Sequence, residues 1–204
     1  MTIHRPEWER VMSMRIWTKG DSRSLVRVTA PRRDAGNGTL LVDNSMWTFS
    51  PKINRIMKIP SSMMHQGWLG SDFSNSDVSR ADSILDQYDH RLVDQYRQDN
   101  VPIYVIESVP HEDAPVVWGR EVLHISDHNI LVRHEFFDQE GQLVKRLSTL
   151  EIARMDGRMI AARQRMHRVG KDNEWTEIRV NSARYDIVLD QNLFTRANLR
   201  NPRE

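Results

Sequence analysis

The sequence predicts a mainly β protein whose antiparallel strands form a strongly curved sheet. Short segments of alternating apolar and polar residues recur from the start of the chain to about residue 185, and turn residues separate them. About twelve such segments (we count 10–12) would leave long exposed edges in a flat sheet, so we expect a barrel or an open half-barrel. The concave face of that sheet needs an apolar cover.

Five strands are predicted in the first 60 residues. The first, at residues 8–18, places Met12, Met14 and Ile16 on one face. Turn residues at 19–21, 34–38 and 43–45 are rich in Gly, Asn and Asp, which tolerate tight backbone turns. The other four predicted strands are residues 25–29, 39–42, 46–50 and 53–59.

Residues 60–80 have a different pattern, because strand alternation is lost there. Small polar residues are mixed with large apolar ones, which a solvated linker seldom carries. We predict a short helix and loop that form a lid over the sheet, with Ser61 or Ser62 as the N-cap. The large apolar residues of this segment are Met63, Met64, Trp68, Leu69 and Phe73.

A second series of strands is predicted beyond this segment. Turns at 99–100, 138–141, 156–157 and 170–173 carry Asn, Asp or Gly, which is typical of hairpins. Near the C-terminus, residues 190–199 predict a short helical turn that packs through Leu193, Phe194 and Leu199. No domain boundary is visible, so we predict a single domain over residues 1–204. The predicted strands are residues 88–96, 103–109, 117–125, 130–137, 143–152, 159–169 and 174–185.

Composition excludes several classes of protein. The 204 residues include no Cys, which excludes disulfides, thiolate zinc sites and cysteine nucleophiles. A net charge of +1 argues against a general nucleic-acid-binding surface. Neither a run of about 18 apolar residues nor an apolar segment at the start is present, so we expect no membrane span and no secretory signal in this chain.

Histidine supplies the best candidate for a metal site. His124, His128 and His134 lie close together in the sequence, with Glu135 beside the last. A metal needs ligands that converge on one face, but His128 falls in the turn between two predicted strands and points away. Surface and cross-strand histidines are the competing interpretation, and we predict neither a metal nor a cofactor.

A run of oxygen ligands raises the question of calcium. An EF-hand loop requires Gly at its sixth position and Glu at its twelfth, and counted from Asp72 these positions hold Asp77 and Ser83. We therefore predict Asx turns and helix caps here. The residues concerned are Asp72, Asn75, Asp77, Asp82 and Asp86.

Motifs for catalysis are missing from the sequence. There is no GxSxG, and the Gly-Asn-Gly at residues 36–38 is too short to hold a phosphate. The carboxylates do not pair in the way that general acid and base chemistry needs. We predict that the protein is not an enzyme.

The densest basic stretch places Arg163, Arg165 and His167 on one face of a predicted strand. Two interpretations stay open. These side chains bind lipid head groups, phosphate or an acidic partner, or they form an exterior face that pairs with Glu177 and Glu151 on neighbouring strands.

Methionine is the most unusual part of the composition. Ten Met are present, where the core of a stable β protein more usually contains Val and Ile. Core filling is the simpler interpretation. The other is an apolar cavity, because Met is flexible and polarizable and repacks around varied ligands.

Several stretches resemble one known family. They are RIWTKGDSRSLVRVTAP at 15–31, MWTFSP at 46–51, RIMKIP at 55–60, GSDFSNSD at 70–77 and RHEFFDQEG at 133–141. Together they look like the LolA-like outer-membrane lipoprotein-sorting proteins, in the branch found beside RND-type exporters. The resemblance covers most of the chain, and the segment at 46–77 is its most specific part.

The resemblance implies an open antiparallel half-barrel in the periplasm, with a concave apolar face closed by helices. It implies a carrier whose cargo is the acyl chains of lipoproteins or lipids, with an inner-membrane exporter and an outer-membrane acceptor as partners. One departure is that the first strand starts close to Met1, which leaves little room for the N-terminal helix of the best-known carriers. A non-transporting envelope interaction or sensor module accessory to an exporter is the alternative function.

A lipid-binding site follows from this resemblance as a hypothesis. Each buried methylene contributes about 0.8 kcal/mol, so one long acyl chain gains on the order of 10 kcal/mol before ordering costs. We predict that the sheet side of the cavity is lined by Trp47, Phe49, Met57 and Ile59. The predicted cover is Met63, Met64, Trp68, Leu69 and Phe73.

Overall fold

The computed structural model describes residues 1–43, 45–79 and 83–202. In this part of the chain, 14 strands form two antiparallel sheets, and all helices are short. The large sheet remains open, with β2 and β8 at its two edges in the strand order β2-β1-β14-β13-β12-β11-β10-β9-β8. The strands of that sheet are β1 (Thr2–Arg5), β2 (Trp8–Val11), β8 (Tyr88–Gln98), β9 (Val101–Pro110), β10 (Arg120–Ser126), β11 (Leu131–Phe137), β12 (Leu143–Met155), β13 (Arg158–Arg168) and β14 (Trp175–Arg179).

The small sheet has five strands in the order of the sequence. Its two faces differ in what covers them. One face carries Leu25, Leu40 and Phe49, and the C-terminal residues Phe194 and Leu199 pack against it, as predicted. The strands are β3 (Ser13–Lys19), β4 (Arg23–Ala30), β5 (Gly38–Val42), β6 (Ser45–Ser50) and β7 (Arg55–Lys58).

Short helices complete the fold. Three α-helices are described, at Asn75–Ser79 (α1), Ser83–Gln87 (α2) and Arg196–Arg200 (α3). Single 3-10 turns occur at Ser61–Met63, Trp68–Gly70 and Gln191–Phe194. Within the described residues, every helix is too short to cross a membrane.

The sequence-based fold class is confirmed: the chain is mainly β, antiparallel and open, with short helices over the sheet. One predicted strand is wrong. Residues 8–18 form two strands in different sheets, because the chain crosses between the sheets at Met12, which is buried and donates its N–H to the carbonyl of Met1 at 2.8 Å. Alternation continues through Met12 in the sequence and so gives no sign of the crossing.

The N-cap prediction is also wrong. Pro60 precedes the first 3-10 turn, and no side chain caps it. The capping box lies further on, at α1. The backbone N–H of Ser74 donates to Asp77 Oδ2 at 2.7 Å, and the N–H of Asp77 donates to Ser74 Oγ at 3.1 Å. Asp77 is thus a helix cap, as the Asx interpretation expects, whereas Asp82 lies outside the described residues.

Candidate ligand-binding cavity

Residues 61–79, the cover segment, lie between the two sheets. Trp68 packs against Val26 and Met46 of the small sheet, and its indole N–H donates to Thr39 Oγ1 at 3.0 Å. Phe73, five residues on, packs instead on the large sheet. The cover segment therefore bridges the two apolar surfaces, and its large side chains are part of the core.

A buried ion pair attaches the cover segment to the large sheet. The Arg5 guanidinium donates to both carboxylate oxygens of Asp72 at 3.0 Å, and Thr176 Oγ1 donates to Asp72 Oδ2 at 2.7 Å. The Asp72 side chain is only 1 % exposed. A buried carboxylate is stable only when such partners compensate its lost hydration, so Asp72 fixes the position of the segment.

A second ion pair involves Asp77, five residues further along the cover segment. Lys145, on β12, is 4 % exposed and donates to Asp77 of α1. Its Nζ lies 4.8 Å from the ring centroid of Trp118 and 4.6 Å from that of Phe136, within range for cation–π attraction. Burial lowers the pKa of Lys145, and the Asp77 carboxylate opposes that shift. The ammonium is therefore held by one carboxylate and two aromatic faces.

An apolar cavity of about 220 Å³ lies beside this ion pair, between α1 and the inner face of the large sheet. Cross-strand register brings the side chains of its floor together from β10 to β13. The rings of Trp118 and Phe136 pack at 5.4 Å between centroids. The principal apolar lining residues are Phe73, Trp118, Leu123, Phe136, Leu147 and Met166.

One wall of the cavity is polar. Glu121 is 6 % exposed, and its Oε2 lies 2.6 Å from His134 Nε2. The phenol of Tyr88 hydrogen-bonds to Glu121, and burial, together with that bond and the negative charge, raises the pKa of Tyr88. The His134 ring packs on Phe136 at 4.0 Å between centroids. The wall thus presents a carboxylate, an imidazole and a protonated phenol.

The same face of the sheet continues beyond the cavity. Leu123 pairs with Ile106, which pairs with Leu92 on the edge strand β8, so all three side chains share one face. An open depression of about 530 Å³ lies over Leu92, Tyr104, Ile106 and Ile125. Leu92 is 60 % exposed. A row of apolar side chains therefore runs from the cavity to the edge of the sheet, where polar residues such as Arg91 and Asp127 also border the depression.

The predicted lipid-binding residues occupy several environments. Among the nine, only Phe73 lines this cavity in the described part of the chain. Met64 and Trp68 are buried in the cover segment. Leu69 packs beside Trp68, and its backbone has the left-handed φ of 52°. Met63 is largely exposed.

The sheet-side residues are also separated. Trp47 and Phe49 lie on the face of the small sheet that α3 covers, opposite to Trp68. Ile59 packs near Trp68, and Met57 is largely exposed. The local sequence does not show which face of the small sheet α3 covers, nor that Phe73 packs on the large sheet. The roles of all nine in lipid binding remain predictions.

Sequence reasoning missed the polar wall. Glu121 shares a strand face with Leu123, but a single charged residue in a strand usually faces solvent, so the pattern alone gives no signal of a buried carboxylate. The sequence makes His134 a candidate metal ligand together with His124. The two imidazoles lie on opposite faces, because His134 pairs with Leu123 and not with His124. Among the described residues, no three His, Asp or Glu side chains are placed to hold a metal.

The basic stripe of β13 is an exterior ion-pair face. Arg165 Nη2 lies 2.8 Å from Glu177 Oε2, and Arg163 Nε lies 3.7 Å from Glu151 Oε2. Arg179 also contacts Glu151, at 3.0 Å. These are the partners named in the second interpretation, which the structure therefore supports.

Comparison with solved structures identifies the class of fold. A DUF1329 family protein from Desulfovibrio piger aligns at 24 % identity over 97 % of this chain and 88 % of its own, with a TM-score of 0.88. A putative outer membrane lipoprotein-sorting protein domain from Vibrio parahaemolyticus aligns at 20 % identity, 98 % and 88 % coverage and TM-score 0.85. A LolA superfamily protein from Nitrosomonas europaea aligns at 21 % identity over 96 % of this chain and 86 % of its own, with a TM-score of 0.73. The chain has the LolA-like fold, as the resemblance implied.

A family model gives the narrower assignment. Described as "-like: Uncharacterized protein", it matches residues 20–201. The chain belongs to that family. No curated protein matches the sequence.

Proposed function

We propose that residues 1–204 form a single carrier domain that binds acyl chains of lipoproteins or lipids in the periplasm and transfers them towards the outer membrane. The observation that carries this proposal is the apolar cavity between the cover segment and the large sheet. Two proteins with the same fold support it, one described as a putative outer membrane lipoprotein-sorting protein domain and the other as a LolA superfamily protein. The proposed role is binding and release without catalysis or a cofactor, between an inner-membrane exporter and an outer-membrane acceptor.

The size of the cavity defines how a chain would be held. At about 220 Å³ it lies below the roughly 300 Å³ at which small-molecule pockets usually begin. A long acyl chain therefore needs more space, and the depression over Ile106 and Leu92 provides it on the same face. Ten methylenes buried along this path contribute about 8 kcal/mol before ordering costs.

The cover segment is attached in a way that suits release. Its described backbone–backbone hydrogen bonds stay within residues 60–79, as in Trp68 N–H to the Phe73 carbonyl at 2.7 Å. The Asp72 N–H, however, donates to Thr176 Oγ1 at 3.0 Å, and Arg10 donates to the Leu69 carbonyl at 3.4 Å. Side chains make the attachments to the sheets, chiefly through Asp72 and Asp77. The segment can therefore move as a unit without breaking either sheet, as a gating element must.

Solvent extraction of the purified protein followed by mass spectrometry tests the proposal, together with uptake of a fluorescent acyl probe. We expect co-purified acyl lipid or saturable uptake of the probe. Finding neither would contradict the carrier.

The alternative is a non-transporting envelope interaction or sensor module accessory to an exporter. The small volume of the cavity and the two ion pairs that attach the cover segment to the large sheet favour this alternative, because both restrict entry of a long chain. Transfer between donor and acceptor vesicles separates the two functions. A carrier accelerates the movement of acyl lipid in proportion to its concentration, whereas a module leaves the rate unchanged.

A further inference from the structure

The polar wall has chemistry that an acyl chain alone does not need. Glu121, His134 and Tyr88 all border the cavity, although its other side chains are mostly apolar. Burying a carboxylate in such a place is costly unless it binds something. Tyr88 and His134 compensate part of that cost, and a polar group on a ligand would supply a further partner.

The hydrogen bonding of this wall is incomplete. A carboxylate offers about four lone-pair sites, and among the described residues two side chains lie at Glu121 to occupy them, the Tyr88 phenol and the His134 imidazole at 2.6 Å. His134 Nε2 is close to Glu121 but is buried without a hydrogen bond among the described residues. Acceptor capacity thus remains on the side of Glu121 that faces the cavity.

The formal charges of the lining are those of two carboxylates, with the His134 imidazole beside one of them. Asp77 and Glu121 both line the cavity, and no Lys or Arg does so among the described residues. Lys145, the nearest cation to Asp77, sits behind the rings of Trp118 and Phe136 and is almost fully buried. An anionic group inside the cavity would therefore lie near the Glu121 carboxylate, with no Lys or Arg among the described lining residues to pair with it, in surroundings of low dielectric constant.

The geometry points to a cavity that selects amphiphiles whose head is neutral and donates hydrogen bonds, such as a glyceryl hydroxyl or an amide, over fatty-acid carboxylates. Glu121 accepts the donated hydrogen bond, and the acyl chain lies over Leu123 towards Ile106. This selectivity rests on the proposed carrier function and names the class of its cargo. An N-acyl amide and a monoacylglycerol fulfil it through an N–H or O–H donor, whereas free fatty-acid anions and esters without a hydroxyl do not.

Displacement of the uncharged fluorophore N-phenyl-naphthylamine by monopalmitoylglycerol and by palmitate at neutral pH tests the selectivity. We expect monopalmitoylglycerol to bind the wild-type protein at least about tenfold more tightly, a difference of about 1.4 kcal/mol. The Glu121→Gln variant keeps the shape of the side chain and one acceptor oxygen but removes the negative charge. We therefore expect its affinity for palmitate to rise by about tenfold. Glu107→Gln is the matched control, since Glu107 lies on the opposite face next to Val122 and pairs with Arg91 and Arg120.

The outcomes separate this inference from the function on which it rests. Equal affinity for the two ligands, or tighter binding of palmitate by the wild-type protein, overturns the selectivity and leaves the carrier intact. Binding of neither ligand overturns both. The wild-type comparison decides the matter even where Glu121→Gln fails to fold, and a gain in palmitate affinity in Glu107→Gln as large as in Glu121→Gln refutes the role of Glu121.

Discussion

The ion pair between Asp77 and Lys145 gives the sharpest prediction for stability. Both side chains are at least nine-tenths buried, so removing one partner leaves the other as an uncompensated buried group. Such changes cost about 3–5 kcal/mol, whereas replacing both partners by apolar groups of similar volume is often neutral. We therefore expect Asp77→Asn to lower the free energy of unfolding by about 3 kcal/mol or more, and Asp77→Asn/Lys145→Met to recover a large part of that loss.

Urea unfolding followed by tryptophan fluorescence measures these differences, and a double-mutant cycle isolates the coupling between the two residues. Asparagine keeps an oxygen that accepts the Ser74 N–H, so loss of the helix cap adds little to the effect. The control cycle uses Arg91→Met and Glu107→Gln, because Arg91 is 76 % exposed and its coupling is expected below about 1 kcal/mol. A coupling between Asp77 and Lys145 no larger than in this control would refute the argument that the buried pair holds the cover segment.

Two further predictions concern the cover segment and pH. Trp68→Ala removes a buried ring and its hydrogen bond to Thr39, and we expect it to lower the free energy of unfolding, measured in urea, by about 3–5 kcal/mol. Met63→Ala, at an exposed position, is expected to lower it by under about 1 kcal/mol. Similar losses in the two variants would contradict the placement of the segment. The hydrogen bond from Arg10 holds the pKa of Asp34 below its ordinary 3.8, so its contribution is present above that pH and is lost as the pH falls further. Stability measured from neutral pH down to about pH 2 is therefore expected to fall less steeply in Arg10→Met, and identical slopes would exclude this pair as a source of acid sensitivity.

Local chemistry accounts for what was predictable in the fold. The turn at Asp156 and Gly157 has positive φ at both residues, as a two-residue hairpin requires, and Asp-Gly is the sequence that favours it. The turn at Asp99 and Asn100 follows the same rule. Because such turns depend on adjacent residues alone, the hairpins on either side of them are visible in the sequence.

Long-range pairing accounts for what was not predictable. β1 is four residues long, and it pairs with Trp175–Glu177 at the other end of the chain, which no local pattern encodes. The residues predicted to form one lipid-binding site lie apart for a related reason. The cover segment was correctly identified as apolar, but Trp68 faces one sheet and Phe73 the other, so the cavity floor comes from β10–β13 instead of β6 and β7.

Photo-crosslinking with an acyl chain that carries a terminal diazirine tests the central claim most directly. After irradiation and proteolysis, mass spectrometry locates the labelled residues. The proposed carrier places the label along the path from the cavity to the depression, at Leu123, Ile106 or Leu92, and excess monopalmitoylglycerol abolishes it. Label concentrated at Trp47 and Phe49, or label that excess lipid does not displace, would contradict acyl-chain binding in this cavity.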